Sequence, residues 1–259
     1  MIEVRRSARE ERDELYELWA RVFDEDRGWL DRFFAVRYSP DDIFIARVDG
    51  VLASALHALP AAYVQRGEEQ TCSYIVGAAT DEAFRRRGLM GRLLTETAAS
   101  YRHPITLFPA VRPFYEANGY ITTSSLLLFS LEQETVDQLS SLAVDWQALD
   151  HIYRTANAAD GYLVRDEAAW GFLTGGYETI LLEGAYAFIS EGRAVEAFAL
   201  DHGAAEHLVD ALSKAGITSL QTLAHSPLSA LLGEEQGVPT PMGMSTRSSM
   251  AGVYIAEQY

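Results

Sequence analysis

The 259-residue chain has a single cysteine, no apolar run of membrane-spanning length and a marked shortage of positive charge. Each shortage excludes something. Cys72 alone cannot close an internal disulfide, and a lone thiol suits a reducing, cytoplasmic compartment. At the start of an apolar strand it reads as a small core residue. No segment approaches the ~20 apolar residues that a helix needs to cross a bilayer, and Met1 to Arg6 has no apolar signal core. With 21 Lys+Arg against 37 Asp+Glu, the formal net charge is −16. Such a surface repels nucleic acid and anionic membranes and attracts cationic ligands. His57, His103, His151, His202, His207 and His225 are scattered and lack metal-ligand spacing.

What is present is an ordinary globular composition, 48% apolar, in a length that suits two small domains. The most informative run is Arg85-Arg86-Arg87-Gly88-Leu89-Met90-Gly91, between a strand-like segment (Tyr74 to Ala79) and a periodic helix (Leu89 to Tyr101). The first N–H groups of a helix lack intrahelical partners, and the helix dipole adds partial positive charge there. Glycine lets an anion approach the backbone closely. Three arginines beside such a terminus describe a cradle for a phosphorylated small molecule. No Lys-Ser/Thr follows the glycines, which excludes a P-loop nucleotide site.

The first half reads as one α/β unit in the order β-α-α-β-β-β-α-β-α-β. Ser7-x-x-Glu10 is a capping box opening a helix with Leu15, Leu18, Trp19 and Val22 on one face. Asp24 to Arg37 reads as a second short helix. Ile43 to Val48 and Val51 to Val64 are strands joined by the Asp49-Gly50 turn. Cys72 to Ala79 and Ile105 to Phe108 flank the Leu89–Tyr101 helix, Pro113 suits a first helical turn, and Tyr120 to Leu131 closes the sheet.

The arginine run resembles the Gln/Arg-x-x-Gly-x-Gly/Ala loop of GNAT N-acetyltransferases. Arg85 takes its first place and Gly88 its fourth; Met90 departs at the last place, with Gly91 one residue late. Downstream, Pro113-Phe114-Tyr115-Glu116-Ala117-Asn118-Gly119-Tyr120 is similar to that family's FY-x-x-x-G-F/Y segment. The resemblance implies a mixed-sheet α/β (α+β) fold and acetyl-CoA as cofactor. Arg85, Arg86, Arg87, Gly88, Leu89, Met90 and Gly91 would hold its pyrophosphate. Ala78, Ala79 and Thr80 would face the pantetheine arm and the carbonyl oxygen. Tyr115 would be the general acid, and Ala110 and Val111 would adjoin the cofactor.

The second half repeats the pattern of helices, meander and α-β-α-β. The expected division is residues 1–131 as a GNAT domain with the acetyl-CoA site, 132–145 as linker and 146–259 as a degenerate GNAT-like domain. At its strand-to-helix junction, Leu200-Asp201-His202-Gly203-Ala204, there is no Arg/Gln-x-x-Gly, and Asp201 would repel phosphate. One acetyl-CoA site per chain follows. The tandem arrangement is similar to enhanced-intracellular-survival type acetyltransferases, whose GY-x-x-R-x(4)-W segment is matched by Gly161, Tyr162, Arg165 and Trp170. That family adds a sterol-carrier-like domain and uses its terminal carboxylate as base. Here the chain stops at Tyr259 without room for that domain, which puts the family's base and its polycationic antibiotic substrates in question.

An alkylammonium has a pKa of about 10.4, so presenting the free amine at neutral pH costs roughly 4–5 kcal/mol. A base is therefore needed. The strand Cys72 to Ala79 carries no carboxylate, Asp81 and Glu82 sit at the phosphate end, and His57 and the Tyr259 carboxylate are the remaining candidates. Asp24, Glu25, Asp26, Trp29 and Phe34 are the acceptor-side candidates, since acids attract an ammonium and aromatics hold it by cation–π contact. The resulting expectation is an acetyl-CoA-dependent N-acetyltransferase acting on a primary amine of a small molecule or peptide. It needs no metal, nucleic acid or membrane partner, and self-association into a homo-oligomer is compatible with it. The alternative is a non-catalytic acyl-CoA-binding or regulatory GNAT-like module.

Overall fold

The computed structural model describes residues 1–23, 26–132 and 143–256. They form two compact units, one of Met1–Tyr63, Glu69–Ile121 and Met244–Ala251, the other of Val64–Glu68, Thr122–Gly243 and Gly252–Tyr259. Among the described residues, no helix is long and apolar enough to cross a membrane.

In the first unit, β1 (Ile2–Arg6) leads into α1 (Arg12–Phe23), which buries Leu15, Leu18 and Trp19 at helical spacing. α2 (Arg27–Val36) starts at Asp26, whose carboxylate accepts the Trp29 N–H at 2.9 Å, and buries Leu30, Phe33 and Phe34. β2 (Ile43–Val48) and β3 (Val51–Gln65) form a hairpin around Asp49 and Gly50, both at positive φ as this tight turn requires. Arg66 and Gly67 repeat the device before β4 (Glu68–Thr80). Then follow α3 (Leu89–Ser100), β5 (Ile105–Leu107), α4 (Arg112–Glu116) and β6 (Ile121–Thr122).

The second unit contains β7 (Ser125–Ser130), α5 (Trp146–Ala156), β8 (Tyr162–Leu163), α6 (Glu167–Gly176), β9 (Glu178–Leu182), β10 (Ala185–Ser190), β11 (Arg193–Ala199), α7 (His202–Lys214), β12 (Ser219–Thr222), α8 (Pro227–Leu232) and β13 (Val238–Pro241). Its sheet runs β13-β7-β12-β11-β10-β9. Strand β10 shows the two-faced pattern: Ala185, Ala187 and Ile189 pack with α7 and α8, while Tyr186 and Phe188 pack with α5 and α6. Inside the second face lies a fully buried ion pair. Arg165 donates two hydrogen bonds of 2.7 Å to Glu196, and the carboxylate also accepts from Tyr186 (2.6 Å) and Tyr254 (2.8 Å). The guanidinium stands over the Tyr153 and Trp170 rings at 4.1 and 4.8 Å.

Two strands lie elsewhere than the sequence reading placed them. Expected to close the first sheet, β7 instead pairs with β12 and β13. Beside β5 in the first sheet stands β14 (Met244–Ser245), drawn from the far end of the chain, with Met244 opposite Leu107. That sheet runs β1-β2-β3-β4-β5-β14-β6. After the short Val64–Glu68 excursion, the chain passes into the second unit at Thr122, and a short C-terminal segment returns to the first unit. The physical reason is burial: Leu126 and Leu127 sit on opposite faces of the second sheet, in its two core clusters. Most of the expected linker, 133–142, lies outside the described residues.

Candidate active site

β4 and β5 run parallel, with Ser73 opposite Ile105, Tyr74 opposite Thr106 and Ile75 opposite Leu107. There β5 ends, and β4 continues for five residues, Val76 to Thr80, with that edge unpaired by β5. Gly77 marks the divergence. Its φ is +62°, and a Cβ on it would fall 1.5 Å from the Trp19 indole. Only glycine fits a backbone of that hand pressed against a ring. The Trp19 indole thus lies directly against β4 at Gly77.

Beyond β4 the chain makes a short turn at Glu82–Phe84, capped by Asp81 through the Ala83 N–H at 3.0 Å. The other Asp81 oxygen accepts from Arg21 at 3.1 Å, which offsets the charge of that acid. Arg85, Arg86, Arg87 and Gly88 are exposed. Arg86 and Gly88 both have positive φ (63° and 73°), and Gly88 is the N-cap of α3 with no side chain filling the cap. Arg85 Nε donates to the Thr80 carbonyl at 3.2 Å, and Arg87 rests on the Phe84 ring and donates to the Ala83 carbonyl. An open helix N-terminus with arginines folded around it is an anion-binding geometry. Leu89 is buried and Met90 packs partly into the core. Gly91 faces Asn118, with only 3.2 Å between its would-be Cβ and the amide oxygen. The late glycine therefore serves the approach of α3 to the end of α4.

Tyr115 projects from α4 into the same core cluster as Leu89, Leu93 and Leu107. Its ring meets Phe114 at 5.3 Å and Tyr120 at 5.8 Å, edge-on. Burial raises its pKa above the ordinary tyrosine value, so the phenol stays protonated.

The acceptor-side candidates are placed differently. Asp26 is occupied as the cap of α2. Phe34 is a core residue with Tyr16, Trp19 and Tyr38 against it and Arg12 at 5.6 Å from its centroid, so it offers no open face for an ammonium. Trp29 is half-buried and stacked on Phe33 at 5.3 Å. Asp24, Glu25 and Tyr259 lie outside the described residues.

His57 is fully buried, 4.4 Å from the Trp19 ring and flanked by Phe33 and Phe34. Burial pushes its pKa down to about 3, so at neutral pH it is an uncharged core imidazole and a weak base. The unfolded chain takes up this proton below about pH 6.5, the folded one only near 3. Stability from this residue is therefore complete above the unfolded value and is lost as pH falls towards the folded one. Urea unfolding at several pH values is expected to show that slope, and His57→Phe to flatten it; an unchanged slope would contradict the burial of a neutral ring. Cys72 is likewise inert, its thiol pushed up to about 12 by burial.

The sequence reading missed Ser54 on β3. Its hydroxyl donates to the Ala79 carbonyl at 2.8 Å and lies 2.8 Å from the Thr80 hydroxyl. In the second unit the corresponding helix terminus is closed: Asp201 caps α7 by accepting the Ala204 N–H at 2.8 Å.

Comparison with known proteins accords with this geometry. Residues 3–122 match the acetyltransferase (GNAT) domain family. Similar solved structures include a probable N-acyltransferase from Enterococcus faecalis V583, 17% identical with a TM-score of 0.69, covering 95% of this chain and 72% of that one. A GCN5-related N-acetyltransferase from Anabaena variabilis ATCC 29413 is 15% identical with a TM-score of 0.67, at 95% and 72% coverage. Eis1 from Mycobacterium abscessus is 15% identical with a TM-score of 0.62, at 95% and 73% coverage. At such identities the likeness is one of fold. No curated protein is detectably similar in sequence. The family match covers residues 3–122, and as a whole the chain has the fold of these structures, two GNAT-like domains in tandem.

Proposed function

We propose that the chain transfers the acetyl group of acetyl-CoA to a primary amine of a small molecule or peptide, at one site in the first unit. The observation that carries this reading is the parting of β4 from β5 directly before the exposed arginine turn and the open N-terminus of α3. Acetyl-CoA supplies a thioester whose carbonyl the amine attacks, forming the C–N bond as the C–S bond breaks. Arg85, Arg86 and Arg87, with the backbone at Gly88, neutralise its phosphates. Ala79 and Asp81 turn their polar backbone groups towards β3. In an extended strand alternate residues face opposite edges, so Ala78 and Thr80 present their N–H groups to the edge that β5 leaves open. There they act on the carbonyl oxygen as negative charge develops. Tyr115 donates its proton to the departing sulfur, whose thiol pKa is about 8.5, and is reprotonated through solvent by the proton that the amine nitrogen loses as the amide forms. The second unit is read as a degenerate copy without a phosphate cradle. The net charge of −16 favours cationic acceptors.

Arg86 tests the cradle. It is exposed, and its replacement leaves the core untouched. Arg86→Glu is expected to weaken acetyl-CoA binding by about tenfold or more, by losing one charge-assisted contact and adding a repulsion. Calorimetry at moderate salt measures it. Wild-type affinity in that variant would remove the phosphate-binding reading.

A further inference from the structure

Ser54 is fully buried on β3, between Ala53 and Ala55, which are buried too. A buried hydroxyl left unpaired costs about 1–3 kcal/mol, and here it is paired twice at the end of β4. One hydroxyl carries one proton. Since Ser54 donates to the Ala79 carbonyl, the Thr80 hydroxyl is the donor in the second bond. Beside it the Asp81 N–H donates to the Ala53 carbonyl at 3.0 Å, so two consecutive inward-facing residues of this end are tied to β3. On the opposite edge, the Thr80 carbonyl accepts from Arg85 Nε. A continuous chain of contacts therefore runs from β3 through Ser54 and Thr80 to the first residue of the arginine turn.

We propose that Ser54 is a positioning residue for acyl transfer, fixing the end of β4 so that the Ala78 and Thr80 N–H groups stand at a set distance from the arginine turn. This rests on the acyl-CoA reading above. The thioester and the pyrophosphate of one ligand must be met at once, and a strand end free to shift would satisfy one at the expense of the other. Ser54 touches neither; it acts through Ala79 and Thr80.

The split between the two ends of the ligand tests this. Wild type, Ser54→Ala and Ser54→Thr are titrated by calorimetry with acetyl-CoA and with 3′-phosphoadenosine 5′-diphosphate, which keeps the phosphates and lacks the pantetheine arm. Steady-state kinetics follow. Ser54→Ala is expected to weaken acetyl-CoA by about tenfold, the worth of one buried hydrogen bond, and to lower kcat by a similar factor through misplacement of the reacting carbon. The nucleotide fragment should bind within about twofold of wild type, and Ser54→Thr, which keeps the hydroxyl, should recover most of the loss. If Ser54→Ala does not fold, Thr80→Val removes the other hydroxyl of the pair and should show the same split. Equal weakening of both ligands, or unchanged acetyl-CoA affinity and kcat, would overturn the proposal. Failure of wild type itself to bind acetyl-CoA would instead refute the underlying reading and the proposal with it.

Discussion

Tyr115→Phe is expected to lower kcat by about a hundredfold while acetyl-CoA affinity stays within about twofold. The substitution removes one hydroxyl and keeps the ring that packs edge-on against Phe114 and Tyr120. The core around Leu89, Leu93 and Leu107 therefore keeps its shape. The raised pKa sets the pH dependence. An acid works while protonated, and burial moves the loss of its proton above the ordinary tyrosine value. Tyr115 should therefore impose no falling limb on kcat from about pH 6 to about pH 9. Stopped or continuous thiol release, measured over that range, checks both points. A variant as fast as wild type throughout would show that Tyr115 is a packing residue and that the sulfur leaves unaided.

Glu196→Ala is expected to destabilise the second unit by about 3–5 kcal/mol. The carboxylate is held ionised against a large burial penalty by the Arg165 charge and by hydrogen bonds from Arg165, Tyr186 and Tyr254. Removing it leaves a guanidinium with no anion in a core of aromatic rings, and two tyrosine hydroxyls lose their acceptor. Thermal denaturation followed by circular dichroism should show a fall of about 10 °C or more. The double variant Arg165→Met/Glu196→Leu should recover much of the loss, because an apolar pair avoids the cost of burying charge. A single variant melting within about 2 °C of wild type would contradict the buried pair.

The elements themselves were legible because each carries its own local signal. The Leu15, Leu18, Trp19 spacing, the Asp49-Gly50 turn and Pro113 in a first helical turn all read through to the structure. Strand partnership was not. The alternation in β7 marks a strand without saying which sheet receives it, and the two residues of β14 are too few to show any period. For the candidate site, the arginine turn and Tyr115 were visible as motifs, since charge and glycine at a strand-to-helix junction have a direct physical meaning. Ser54 was invisible, because a serine between alanines on a strand has no pattern until its partners on β4 are known. Phe34 misled for the opposite reason: an aromatic beside acids looks the same in sequence whether its face is open or covered. Glu196 was likewise unreadable as the partner of Arg165, since 31 residues separate them.

The most direct measurement is a calorimetric titration of the full chain with acetyl-CoA. Saturable binding at one site per chain is the result predicted by an open cradle at Arg85 to Gly88 and a second unit whose corresponding helix terminus is closed by Asp201. Two sites would contradict the reading of the second unit as degenerate. No binding by well-folded protein would contradict the account at its centre.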